Sequence, residues 1–88
     1  MADNTKLYGT NWCPDTRRSR AIMDRANVIY AWYDIEEDND ACAFVEQVNE
    51  GNRSVPTIVF PDGTILVEPD DSELVKKCRG LPFYQSDR

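Results

Sequence analysis

The run Lys6-Leu7-Tyr8-Gly9-Thr10-Asn11-Trp12-Cys13-Pro14-Asp15-Thr16 decides the start of the fold. Its first three residues make a short, largely apolar stretch that runs into Gly9, Thr10 and Asn11, the pattern of a strand ending in a loop. A helix is expected at once. Pro14 suits the first turn of a helix, because its missing N–H would be unpaired there, and Ile22, Met23 and Ala26 supply an apolar stripe. Cys13 is thereby expected at the helix N-terminus.

Downstream, Val28-Ile29-Tyr30-Ala31-Trp32-Tyr33 is a continuous β-branched and aromatic run, the pattern of a strand covered on both faces. Ala41, Phe44, Val45 and Val48 recur at helical spacing, so Asp38 or Asn39 is expected to cap a second amphipathic helix that stops at Gly51. Residues 57–60 and 65–67 are β-rich and flank Pro61-Asp62-Gly63-Thr64, whose Asp-Gly pair signals an antiparallel hairpin. Asp70-Asp71-Ser72-Glu73 reads as a capping sequence, with Leu74, Val75 and Cys78 on one face and Gly80 and Pro82 as stop signals. The expected order is βαβαββα, an α/β domain over residues 1–80 with a frayed tail at 81–88.

The chain's 88 residues hold one small domain, and 41% hydrophobic residues are enough to close a core. A net charge of −6 opposes broad binding to nucleic acid or to an anionic membrane surface. No membrane-spanning run and no secretion signal at Met1-Ala2-Asp3-Asn4 are read, so a cytoplasmic location is expected. We also expect a monomer.

Cys13, Cys42 and Cys78 form no close pair, which suits free thiols in a reducing compartment better than a disulfide scaffold. Without histidine or a C-x-x-C pair, one chain lacks the ligands of the usual zinc sites and the base of histidine-dependent proteases. Cys13 is different chemistry. Free N–H groups and the dipole at a helix N-terminus favour a thiolate, and Arg17, Arg18 and Arg20 against Asp15 make the segment basic within an acidic chain. Cys78 shares an apolar stripe and is expected in the core. Cys42 flanks the stripe of the second helix, where it is either a packing residue or a distant resolving thiol.

Three segments resemble the signatures of the glutaredoxins: Trp12-Cys13-Pro14-Asp15-Thr16 after the first strand, Arg53-Ser54-Val55-Pro56 before the third, and Asp70-Asp71 opening the last helix. The resemblance spans residues 5–79, and the stretch from Asn49 through Pro69 looks most like the mycoredoxin-like bacterial subgroup. It implies a thioredoxin-like fold, a four-stranded mixed sheet flanked by three helices, and thiol–disulfide exchange with Cys13 as nucleophile. It also implies a cis bond at Pro56 that leaves the Val55 backbone free for an extended ligand. The co-substrate implied is glutathione or mycothiol, with no tightly bound cofactor. Trp12, Pro14, Arg53, Ser54, Val55, Pro56, Asp70 and Asp71 would line its site, Arg53 facing a carboxylate and Asp71 an ammonium, while Asp70 caps the helix.

The chain departs from the family pattern at three places. Thr10 stands where many glutaredoxins carry lysine, Glu68-Pro69 replaces a glycine-rich approach, and Thr16 replaces the second cysteine of dithiol members. The last departure implies a monothiol route on mixed disulfides between proteins and a small thiol, with the Thr16 hydroxyl donating to the Cys13 thiolate. The alternatives are a [2Fe–2S] cluster module, held by Cys13 and glutathione in a dimer, and a non-catalytic interaction module of the same fold.

Overall fold

The computed structural model describes residues 5–80; the expectations for residues 1–4 and 81–88 lie outside them. The elements follow in the order β1 (Thr5–Gly9), α1 (Pro14–Arg25), β2 (Tyr30–Asp34), α2 (Asn39–Val48), β3 (Thr57–Val59), β4 (Ile65–Val67) and α3 (Asp71–Arg79). They form one four-stranded sheet in the order β2-β1-β3-β4. β1 pairs in parallel with β2, Leu7 opposite Trp32, and antiparallel with β3, Leu7 opposite Ile58; β3 and β4 form the hairpin. The sheet is therefore mixed, with β1 at its centre.

Alternation along β1 sorts the core into two layers, because successive strand side chains point to opposite faces. Leu7 joins Met23 of α1, Ile58 and Phe60 of the hairpin arm, and Leu74 and Cys78 of α3. Tyr8 joins Ile35 and the α2 residues Ala41 and Val45, and its ring stacks on Tyr33 and Phe44 at 4.8 Å. Leu7, Met23, Ile58 and Leu74 are wholly shielded from solvent, and burial of each such side chain contributes about 1.5–3 kcal/mol. Helices α1 and α3 thus cover one face and α2 the other.

Local chemistry starts the helices where the sequence pattern expects, while α2 stops at Val48, short of Gly51. Asp38 caps α2 by accepting from the Ala41 N–H at 3.0 Å, and Asp70 caps α3 by accepting from the Glu73 N–H at 2.8 Å. Acidic residues in the first turn of α3 and Lys76, Lys77 and Arg79 in its last turn complement the helix dipole. In the hairpin, Gly63 takes φ +90°, and Asp62 accepts from the Thr64 N–H at 2.9 Å. Lys77 reaches from α3 to Asp62 at 2.7 Å, tying the turn to the helix.

The second strand differs from expectation. It begins at Tyr30 rather than Val28, lies at the sheet edge, and has all five residues half-buried rather than covered on both faces. Val28 packs in the core but precedes the strand, and Ile29 is 72% exposed. An edge strand meets each helical layer only at its margin, so its aromatic rings reach both clusters without being sealed by either. Arg20 covers part of the gap, its guanidinium 4.1 Å from the centre of the Trp32 ring and donating to the Tyr30 hydroxyl at 3.3 Å.

Gly9 makes the closest approach between sheet and helix. A Cβ built there would stand 2.5 Å from Thr16 Cγ2 and 2.6 Å from Thr16 Oγ1. Gly9→Ala is expected to lower stability by about 1–3 kcal/mol in urea unfolding through overpacking. Adding Thr16→Ala should recover much of that loss; no recovery would contradict the contact. The Lys77 hydrogen bond, aided by the Thr64 N–H, holds the Asp62 carboxyl well below the usual carboxylate range. A depressed folded-state value stabilises above the ordinary pKa of about 4, and the effect is lost as pH falls through the folded value. Asp62→Asn should therefore unfold at lower urea than the parent at pH 7, with the gap closing progressively below about pH 4.

Candidate functional site

Cys13 is the N-cap of α1, directly before Pro14 at the first helical position, and the loop from β1 presents it at the carboxyl end of the two parallel strands. Its thiol is half-buried and free. The Cys13 N–H donates to the Thr10 carbonyl at 3.4 Å, and its own carbonyl accepts from the Arg17 N–H at 3.0 Å, which fixes the turn. No side chain accepts from the helix start as a cap. The unpaired N–H groups of the first turn are thus left to an anionic sulfur or ligand atom.

The Val55–Pro56 bond is cis. Neighbouring groups hold this turn: Thr57 Oγ1 donates to the Ser54 carbonyl at 2.8 Å, and the Glu68 N–H donates to the Pro56 carbonyl at 2.8 Å. The Val55 backbone makes no hydrogen bond among the described residues, so its polar groups are open to an extended ligand. Val55 shares a cleft of about 510 Å³ with Thr10, Trp12, Ile35, Glu36, Asn39, Cys42 and Arg53. One cleft thus joins the residue preceding Cys13 to the residue preceding Pro56.

Thr16 contradicts its expected role. It is fully buried, and its Oγ1 has no hydrogen-bond partner, Cys13 included. The third position of α1 faces the sheet against Gly9, so the side chain fills space beneath the loop instead of reaching the sulfur. The arginines do not simply encircle the thiol either. Arg18 bridges two carboxylates, Asp15 on its own helix and Asp71 of α3 at 3.1 Å, while Arg20 is drawn to β2. Asp71 accordingly faces a guanidinium, and Asp70 is the helix cap. Arg53 is exposed and donates to Glu46 at 2.8 Å; that hydrogen bond raises its pKa further.

Two features of the cleft escaped the sequence reading, the part played by Glu36 and the place of Cys42. Trp12, 66% exposed, donates its indole N–H to both Glu36 carboxylate oxygens at 3.1 Å, and Cys42 lines the same cleft. The signal for Glu36 was its place just beyond a parallel strand, the end at which α/β sheets gather their ligands. Among the described residues no cluster of three or more His, Cys, Asp or Glu side chains is placed to hold a metal ion, and no helix is long and apolar enough to cross a membrane.

Known proteins agree with this arrangement. The glutaredoxin family model matches residues 5–65. Mycoredoxin 1 of Corynebacterium glutamicum is 36% identical over 78 residues, covering 89% of this chain and 96% of that protein. A Mycobacterium tuberculosis protein named as a glutaredoxin is 38% identical over 71 residues, covering 81% and 84%. Among solved structures, the Archaeoglobus fulgidus glutaredoxin superposes with a TM-score of 0.72 at 25% identity, covering 91% of this chain and 89% of that one. The thioredoxin-like protein BC3987 superposes with a TM-score of 0.71 at 21% identity, covering 85% and 99%, a likeness of fold. With a free thiol at the strand-to-helix turn, a cis proline in the neighbouring loop and a thioredoxin-like sheet behind both, the chain belongs to the glutaredoxin family.

Proposed function

We propose that the protein catalyses thiol–disulfide exchange by a monothiol route, acting on mixed disulfides between proteins and a low-molecular-weight thiol, glutathione or mycothiol. The observation that carries this reading is the half-buried Cys13 at an uncapped helix N-terminus, adjoining a cleft shared by Trp12 and Val55. The likeness to a protein named mycoredoxin supports a bacterial small thiol as co-substrate.

The exchange needs two steps. The Cys13 thiolate attacks the small-thiol sulfur of the mixed disulfide; a new S–S bond forms at Cys13, the old one breaks, and the protein thiolate departs with the electron pair and takes up a proton. A second small thiol, losing its proton, then attacks the same small-thiol sulfur, releasing the symmetrical disulfide and the Cys13 thiolate. Each turnover reduces one protein sulfur from the mixed disulfide to a thiol and oxidises one free small thiol, which leaves joined to the small-thiol half of the mixed disulfide as the symmetrical disulfide. With Thr16 in place of a second cysteine, no disulfide between positions 13 and 16 competes.

The chain's own groups have separable tasks. The first-turn N–H groups of α1 stabilise negative charge on sulfur, and the Val55 backbone aligns the small thiol in an extended conformation. Arg53 turns from Glu46 towards a ligand carboxylate or other anionic group, an exchange of one exposed ion pair for another and hence of small net cost. Asp71 receives a ligand ammonium only by sharing it with Arg18, which makes Asp71 the weaker of the two contacts.

Incubation with oxidised glutathione and with mycothiol disulfide, followed by peptide mapping, should place an adduct on Cys13, and Cys13→Ser should abolish turnover of the matching mixed disulfide. A Cys13 that accepts neither thiol, with turnover unaffected by the serine, would overturn the proposal. Thr16→Val removes a hydroxyl that bonds to nothing while keeping its volume, so turnover should stay within about twofold of the parent and stability should not fall. A tenfold drop with the fold intact would restore a direct role for that hydroxyl.

A further inference from the structure

Two neighbouring side chains tie the loop before Cys13 to a single short segment. Asn11 donates its amide to Asp34 at 3.3 Å, and Trp12 donates its indole N–H to both oxygens of Glu36 at 3.1 Å. Asp34 closes β2, and Glu36 stands two residues on. Consecutive residues of the cysteine loop thus each meet a carboxylate, 23 and 24 positions away in the chain.

The segment that accepts these bonds is firmly anchored. Ile35, between the two carboxylates, is 7% exposed and packs with Tyr8, Ala41 and Val45. Its N–H donates to the Gly9 carbonyl at 3.0 Å, and the N–H groups of Glu37 and Asp38 both donate to the Asp34 carbonyl at 3.0 Å. The Glu36 N–H donates to Asp34 Oδ1 at 2.9 Å, which leaves Oδ2 of that carboxylate to Asn11. Trp12 is held differently. It lies outside both core clusters, and its ring stands in solvent while forming part of the cleft wall with Val55 and Arg53. A ring so exposed takes little of its orientation from packing. Equal distances to two oxygens centre the N–H on the Glu36 carboxylate, and a charged acceptor makes a stronger bond than a neutral one.

We infer that Glu36 is a positioning residue for thiol exchange, holding the Trp12 ring as a preset wall of the cleft that receives the small-thiol half of the mixed disulfide. Glu36 acts through Trp12 and needs no contact with the reacting sulfurs. A wall already in place lowers the ordering cost of binding and leaves the Cys13 thiolate as it is. Losing it therefore raises KM for the mixed disulfide and spares kcat. This inference rests on the reading that Cys13 exchanges with a small thiol bound in this cleft.

The test compares the parent with Glu36→Ala, Glu36→Gln, Trp12→Phe and the double variant Glu36→Ala/Trp12→Phe. The substrate is a peptide joined by a disulfide to glutathione or to mycothiol, whichever the parent turns over, and urea unfolding checks each fold. Glu36→Ala should raise KM about three- to tenfold with kcat within about twofold, and Glu36→Gln, which keeps an oxygen acceptor, should recover most of that loss. Trp12→Phe, a ring without the donor, should raise KM as well, and the double variant should be no worse than the more affected single one, because both changes remove the same bond. In a Trp32→Phe background, the fluorescence anisotropy of Trp12 should fall with Glu36→Ala and be restored by Glu36→Gln. Alkylation of Cys13 by iodoacetamide, which has no need of the cleft, should proceed at the parent rate in Glu36→Ala. An active parent whose KM is unmoved by Glu36→Ala overturns this inference alone. So does a Glu36→Gln no better than Glu36→Ala, or a double variant whose effect is the product of the single ones. A parent that turns over neither substrate overturns the function proposed for Cys13 and this inference with it.

Discussion

The contact between Gly9 and Thr16 is the constraint on which the site depends. Only a residue without a side chain lets the end of β1 approach the first turn of α1 so closely, and that approach determines where the intervening loop places Cys13. The strand itself is held by its neighbours, parallel to β2 and antiparallel to β3, with Leu7 and Tyr8 anchoring opposite faces in separate clusters. Because packed interiors yield little, a rigid central strand makes a rigid platform for the sulfur. Thr16 tightens the joint, and its unpaired hydroxyl is a small cost accepted for a good fit of shape.

Electrostatics around Cys13 are more local than the run of arginines suggests. Arg18 spans Asp15 and Asp71, linking α1 to α3, and exposed pairs of this kind contribute little to stability. Arg20 supports the edge strand through Trp32 and Tyr30. The helix start lies at the sulfur in any case, and its unpaired N–H groups need no long side chain to be positioned. Arg53 brings a cation to the cleft, which the hydrogen-bonded pair of Trp12 and Glu36 also lines. Both the helix start beside Cys13 and the unpaired Val55 peptide present backbone groups to this region, while Arg53, Trp12 and Glu36 bring side chains to it.

Much of the fold was legible in local chemistry. Pro14 marked the start of α1, Asp38 and Asp70 marked the other helix starts, and the Asp62-Gly63 turn gave the hairpin, because capping and turn signals act over three or four residues. Local signals failed where burial depends on distant neighbours. The run from Val28 to Tyr33 has the composition of a central strand, but its place at the sheet edge follows from which strands pair with β1. Thr16 has the spacing of a partner for Cys13, but helix phase turns it towards the sheet.

The sequence by itself determined the order of elements, the helix starts, Cys13 at a strand-to-helix junction and the family to which these belong, since each is written in short segments with direct physical meaning. Only the tertiary structure decided that Cys42, Arg53 and Thr10 share a cleft with Trp12 and Val55, that Arg18 is bound to Asp71, and that the Thr16 hydroxyl is buried without a bond to the sulfur. Those relations join residues from separate elements, and their distances are set by how the two helical layers pack on the sheet rather than by any local preference of the chain.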